Sequence, residues 1–209
     1  MIGKNLYPES QPYNWQVIGS LEDLQNATLA DVKEFYRRWY VPNNATLVIA
    51  GDFDSEQAKE WVKKYFNEIP RGDEIEPLPV SPVEVDETKK LYYEDNFARL
   101  PELRMVWPTV QQYHPDMYAL DILTQLLTDG KKAPFTKVLV EEEQLSSNVF
   151  MFSQNSEIAG ETTLLVRAYP GTDLDKVSSA VDEAFAKFET DGFTEADLDR
   201  IKAGIETQF

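Results

Sequence analysis

Cysteine is absent from the 209 residues, and histidine occurs only once, as His114. Without cysteine the chain can form neither a disulfide nor a metal site built on thiolates. With one histidine it cannot assemble a catalytic zinc site from two imidazoles and a carboxylate. No apolar run approaches the length of about 18 residues that a membrane-spanning helix needs, and the N-terminus lacks the pattern of a signal peptide. The sequence therefore predicts neither a membrane span nor a signal peptide.

Positive charge is also scarce. Twenty lysines and arginines stand against 37 aspartates and glutamates, so the net charge is −17. A field of this sign repels phosphate backbones, and nucleic-acid binding is not expected. The simplest interpretation of the charge is solubility, and the functional alternative is an acidic wall that attracts basic peptides.

The segment from Thr28 to Asp54 predicts a helix, a turn and a strand in direct succession. Thr28 is a good N-cap, and Asp31 follows three residues later, where a carboxylate favours the helix dipole. Pro42 ends the helix, and the apolar run 45–50 is predicted to be a buried strand. One helix face should be buried, because large side chains recur on it at helical spacing: Leu29, Val32, Phe35, Tyr36 and Trp39.

Two regions flank this segment. Residues 1–19 are predicted to be an extended arm whose Tyr7, Tyr13 and Trp15 dock onto another surface. A second helix follows Asp54. Prolines and acidic residues then alternate over 71–87, which is typical of a stiff, solvated connector, so a boundary is expected there.

From residue 88 onward, pairs of strands alternate with pairs of helices. This order predicts the α+β class, with an antiparallel-rich sheet and helices packed on one face. The predicted strands are Thr88–Glu94, Leu103–Trp107, Ser147–Ser153 and Thr162–Tyr169. The predicted helices follow His114, span Pro134–Glu143, begin near Leu174, and begin after Thr194.

Several short segments carry a family resemblance that extends over nearly all of the chain. They are Pro12-Tyr13-Asn14-Trp15, Ile18-Gly19-Ser20, Leu21-Glu22-Asp23-Leu24, Phe35-Tyr36, Tyr40-Val41-Pro42-Asn43-Asn44 and Gly51-Asp52-Phe53-Asp54. Because of these segments, the sequence resembles the pitrilysin, insulysin and mitochondrial processing peptidase family of zinc metallopeptidases. The resemblance implies that residues 1–70 are the tail of a zinc-binding domain and that 88–209 form the following, non-catalytic repeat domain. The chain would then be a piece of a longer parent peptidase.

The same resemblance places the reactive groups outside this chain. The family uses the motif H-x-x-E-H on a helix, and this motif would lie upstream of Met1. No catalytic, metal-binding or cofactor-binding residue is therefore expected in this chain. Zinc would belong to the parent. Family members also place an arginine and a tyrosine of a later repeat against the substrate. Val140 and Ser147 stand at those positions here, which favours a structural role.

Other candidate sites are weaker. We interpret His114 as a solvated helix cap, and Glu141-Glu142-Glu143 as a solvated helix face, because successive helical positions point in different directions. Ser146-Ser147 is not flanked by the glycines of a nucleophile elbow and has no histidine nearby in the sequence. The sequence therefore does not support a serine hydrolase.

Two functions follow from the resemblance. The first is a non-catalytic portion of a zinc metalloendopeptidase that forms part of the wall of a peptide-binding chamber. Its partners would be the upstream zinc domain, the downstream repeat and the parent's peptide substrate. The sequence does not determine its location, for which a bacterial periplasm or cell envelope is one candidate. The alternative is a catalytically inactive scaffold or interaction subunit of the same fold. A further hypothesis is that the strand at 45–51 completes the sheet of the domain 88–209, as in a circular permutant.

Overall fold

A computed structural model describes residues 2–207, and the chain divides into two compact units. The sheet unit comprises residues 2–14 and 79–207, and the helical unit comprises residues 15–78. Residues 2–14 therefore group with the C-terminal part of the chain, whereas the family resemblance predicts one segment over 1–70.

The helical unit is built from three capped helices, α2 (Leu21–Asn26), α3 (Leu29–Trp39) and α4 (Ser55–Phe66). Thr28 and Asp31 cap α3 reciprocally, as predicted: the Asp31 backbone N–H donates to the Thr28 hydroxyl, and the Thr28 N–H donates to the Asp31 carboxylate. Asp54 caps α4. Each helix thus starts at the polar side chain that satisfies its first free N–H groups.

The predicted strand at 45–50 is wrong. These residues form no strand, and the short 3₁₀ turn Pro42–Asn44 leads into an extended, exposed run. The physical reason is that a strand needs a partner, and the helical unit has no strand among residues 15–78. The sheet described below is built without residues 45–51.

The predicted burial of the α3 face is also not observed. Leu29, Val32 and Phe35 are each more than half exposed, and so are Trp61 and Tyr65 of α4. The pattern correctly indicates an amphipathic helix, but the surface that would cover it is missing from this unit.

The sheet unit contains a three-stranded antiparallel sheet in the order β1-β3-β2. The strands are β1 (Glu102–Thr109), β2 (Ser146–Asn155) and β3 (Gly160–Ala168), and they confirm three of the four strands predicted after residue 88. The fourth, Thr88–Glu94, is wrong: these residues lie outside the sheet and are exposed.

Helices cover one face of this sheet, which confirms the predicted α+β class. They are α5 (Pro115–Thr128), a π-helix (Thr136–Glu142) and α6 (Leu174–Asp191), and α7 (Glu195–Glu206) packs against α5. The core beneath them holds Phe135, Val138 and Val181, which are fully buried, against Leu164 and Val166 of β3.

The N-terminal arm is partly helical rather than extended, because residues Ile2–Leu6 form the short helix α1. Two of the predicted docking residues do dock. The Tyr7 hydroxyl donates to Glu161 at 3.2 Å, and the Tyr13 hydroxyl accepts from the Ile158 N–H at 3.3 Å. Trp15 is 59% exposed and does not dock.

Candidate functional site

His114 lies where the sequence predicts it, at the N-cap of α5. Its Nδ1 accepts a hydrogen bond from the Asp116 N–H at 3.2 Å. Within residues 2–207, no group of three or more histidine, cysteine or acidic side chains is placed to share a metal ion. The described residues therefore do not fit the zinc that the family resemblance implies.

The three consecutive glutamates point to three different cations, as expected for successive helical positions. Glu142 is 2.7 Å from the Lys187 ammonium, Glu143 is 2.9 Å from that of Lys176, and Glu141 is 4.0 Å from that of Lys131. The hydrogen bond from Lys187 lowers the pKa of Glu142. These side chains diverge and do not form a common cation site.

The positions that correspond to the family's arginine and tyrosine offer no substrate group. Val140 is half-buried in the π-helix, and Ser147 is exposed at the start of β2, where the register of the strand pairing shifts. Neither side chain provides the positive charge of an arginine or the phenol group of a tyrosine.

One cleft of about 410 Å³ lies between the turn after α5, the end of α6 and the start of α7. Its walls are charged, and several of these charges are paired within the chain. Arg200 is 2.9 Å from Asp129, and Lys187 is held by Glu142 and Glu183. The named charges of the cleft are therefore engaged in surface salt bridges.

The face of the sheet opposite the helices carries exposed apolar side chains on β2. Side chains alternate between the two faces of a strand, and Leu103, Val149 and Leu164 point into the core. Their neighbours define what we call the outer face: Glu102, Arg104, Val106 and Pro108 of β1, Phe150, Phe152 and Gln154 of β2, and Glu161, Thr163, Leu165 and Arg167 of β3.

The middle of the outer face is apolar, and its side chains on the edge strand β2 are half exposed. Phe150 is 48% exposed and Phe152 is 46% exposed, although both belong to a regular strand. Between β2 and β1, Leu165 and Thr163 of the central strand are buried. A solvated sheet face normally carries polar side chains, so two half-exposed phenylalanines on one strand indicate a surface that contacts a partner.

The two ends of the outer face are charged with opposite sign. At one end, Arg104 and Arg167 lie 3.0 and 3.1 Å from the same carboxylate, that of Glu102, which leaves one positive charge in excess. At the other end stands Glu161, which accepts the Tyr7 hydroxyl bond. Burial, and then the nearby Glu161 carboxylate, raise the pKa of the Tyr7 phenol, so Tyr7 remains a neutral donor.

Sequence reasoning did not identify Phe150 and Phe152. The signal was present, because Val149-Phe150-Met151-Phe152 is apolar at four successive positions and a strand with one solvated face should alternate. Without the sheet order, such a run is equally typical of a strand that is buried on both faces.

No helix among the described residues is long and apolar enough to cross a membrane.

Comparison with known proteins places this geometry in a family. The sequence profile described as "Peptidase M16 inactive domain" matches residues 26–205. The chain is 29% identical over 202 residues to a protein named zinc protease PqqE from Helicobacter pylori, covering 95% of this chain and 45% of that protein.

Two crystal structures share the fold. A protease from Helicobacter pylori superposes with a TM-score of 0.79 at 27% identity, covering 95% of this chain and 49% of that one. A peptidase M16 inactive domain from Pseudomonas fluorescens superposes with a TM-score of 0.74 at 18% identity, covering 98% and 49%. The chain therefore spans about half the length of these relatives, and it belongs to the peptidase M16 inactive-domain family.

Proposed function

We propose that this chain is the non-catalytic portion of a zinc-dependent metalloendopeptidase, and that its outer face forms part of the wall of a peptide-binding chamber. The observation that carries this proposal is an apolar sheet face with two half-exposed phenylalanines on its edge strand, in a member of an inactive-domain family. The helices occupy the other face of the sheet. A wall of this kind acts by shape and charge and needs no reactive group of its own.

Zinc and its ligands would belong to the rest of the parent protein. A relative named zinc protease, of which this chain covers 45%, supports this assignment. The contribution of the present chain would be to hold and orient a peptide. Its net charge of −17 would raise the local concentration of basic peptides.

The helical unit would pack against the remainder of the parent. Exposed apolar side chains on α3 and α4 support this, because burying a large apolar side chain contributes roughly 1.5–3 kcal/mol. Phe35 is 58% exposed, Tyr36 62% and Trp61 53%. The extended residues 45–50 would pair there with a strand that the parent supplies, and the proline-rich residues 71–87 would remain the connector.

The second candidate function is a catalytically inactive scaffold subunit of the same fold. It would use the same apolar surfaces to bind other subunits. The two functions differ in the parent, because only the peptidase needs an intact H-x-x-E-H motif upstream of this segment.

Metal analysis of the full-length gene product tests the proposal. We expect one zinc ion per protein and peptide hydrolysis that a chelator abolishes, together with an H-x-x-E-H motif upstream. A full-length product that binds no zinc and hydrolyses no peptide would support the scaffold subunit and refute the peptidase.

A further inference from the structure

We propose that residues 2–14, which we call the clasp, hold together the two chain segments that lead into and out of the helical unit, and that the clasp opens as one unit while the sheet core stays folded. The helical unit is an insertion in the sheet unit, between residues 14 and 79. The inference goes beyond the proposed function and does not depend on it. It is carried by hydrogen bonds between residues that are far apart in the sequence.

The turn between β2 and β3, residues 156–159, is bonded to both of these segments. The Ile158 N–H donates to the Tyr13 hydroxyl at 3.3 Å, and the Ile158 carbonyl accepts from the Ser81 N–H at 2.8 Å. The Gln11 side-chain amide donates to the Ser81 carbonyl at 2.8 Å, although the two residues are 70 positions apart. The segments before and after the helical unit therefore meet at one turn of the sheet unit.

The clasp is also folded onto itself. The Asn14 side-chain amide donates to the Tyr7 carbonyl at 2.7 Å, and the Tyr7 N–H donates to the Gly3 carbonyl at 2.9 Å. The rings of Tyr7 and Tyr13 pack edge to face with centroids 5.6 Å apart. A Cβ atom on Gly3 would lie 2.8 Å from the Tyr13 carbonyl oxygen, so the two ends of the clasp are in close contact. These contacts favour movement of the clasp as one piece.

The contacts that hold the clasp on the sheet unit are largely polar. The Tyr7 hydroxyl donates to Glu161 at 3.2 Å, and the Lys89 ammonium donates to the Asn5 carbonyl at 2.7 Å. Water replaces such hydrogen bonds when a segment opens, so their net contribution to stability is modest. The sheet core is instead held by fully buried apolar side chains. We therefore expect the clasp to open at a lower free energy than the core.

Native-state hydrogen exchange on the full 209-residue chain tests this inference. The reporters are the amides of Gln11, Ser81 and Ile158, which all donate hydrogen bonds in or next to the clasp. Tyr7→Phe removes the bond to Glu161 and keeps the ring. All three reporter amides should then exchange about 2- to 10-fold faster, because this is the net effect of one hydrogen bond. Among the described residues Tyr7 donates no hydrogen bond to Ser81 or Ile158, so acceleration there reports cooperative opening.

Two further variants serve as controls. Tyr93→Phe makes the same chemical change at a side chain that is 70% exposed in the same unit, and it should leave the reporter amides unchanged. Val181→Ala removes buried volume from the core, and it should accelerate exchange of the Val166 amide in β3 at least about fivefold. It should leave the reporter amides unchanged, because the core remains folded when the clasp opens. Circular dichroism checks the fold of each variant.

The exchange rates decide between cooperative and independent opening. Faster exchange of all three reporter amides in Tyr7→Phe, without an effect of Val181→Ala on them, would support the clasp. Unchanged exchange of Ser81 or Ile158 in Tyr7→Phe would mean that the contacts open one by one. Equal acceleration of the reporter amides and of Val166 by Val181→Ala would mean that residues 2–14 open only together with the core. Either of these last two results would overturn the inference.

Discussion

At the scale of single residues, Ser146 is the clearest case of a polar group that the fold does not satisfy. Its side chain is fully buried at the start of β2, and its hydroxyl has no hydrogen-bond partner among the described residues. An unpaired buried hydroxyl costs about 1–3 kcal/mol. We expect Ser146→Ala to raise the free energy of unfolding by about 1 kcal/mol in urea titrations.

Ser153→Ala is the matched control for this change. The Ser153 hydroxyl lies 2.8 Å from that of Thr162, which is buried on the core face of β3. Removing it leaves Thr162 unpaired, so this variant should lower the free energy of unfolding by about 1 kcal/mol. If the two variants change stability in the same direction, the assignment of the Ser146 hydroxyl is wrong.

Asp197 gives the fold a predictable dependence on pH. The Thr194 hydroxyl, and then the Thr194 N–H, donate to its carboxylate and lower its pKa below the ordinary value of 3.8. A lowered pKa in the folded state contributes stability above the unfolded pKa, and that stability is lost as pH falls through the folded pKa. Asp197→Asn should therefore be less stable than the wild type at neutral pH.

The difference should shrink as the pH falls below 3.8. Urea midpoints of both proteins measured across this range check the prediction. A difference that stays constant with pH would mean that the charge of Asp197 does not contribute.

At the scale of elements, Gly160 at the start of β3 is a position where only glycine fits. A Cβ atom there would overlap the carbonyl oxygen of Val110, and it would lie 3.0 Å from the Asn155 side-chain nitrogen. Gly160→Ala should therefore lower the free energy of unfolding by about 1–3 kcal/mol in urea titrations. Gly204→Ala in α7 is the control, because a Cβ there meets no atom within 4 Å and the change should stabilise the helix by up to about 1 kcal/mol.

The elements that the sequence predicts correctly are those whose formation depends on residues nearby in the sequence. Capping residues such as Thr28 and Thr194 satisfy nearby N–H groups, so the starts of α3 and α7 are encoded within four residues. The strand predictions at 45–50 and 88–94 failed because a strand also needs a distant partner. Propensity alone cannot supply that partner.

The candidate site was less predictable than the fold. The outer face depends on which side of β2 the helices cover, and that is a property of the sheet order. Phe150 and Phe152 could be recognised as exposed only once Val149 and Met151 were known to face the core.

At the scale of the whole molecule, the two units should differ in local stability. Residues of β3 and α6 are buried in one core, whereas α3 and α4 leave their apolar faces open to solvent. We expect amides of α3 and α4 to exchange with solvent much faster than those of β3 in native-state hydrogen exchange. Equal protection would mean that another surface covers α3 and α4 in the isolated chain.

We propose that this chain has a structural role and that the zinc and the reactive groups belong to the rest of a longer protein. Zinc content and chelator-sensitive peptide hydrolysis, measured in parallel on the 209-residue chain and on the full-length gene product, test this division most directly. The account predicts neither zinc nor hydrolysis in the isolated chain, and both in the full-length product. Stoichiometric zinc with chelator-sensitive hydrolysis by the isolated chain would contradict it.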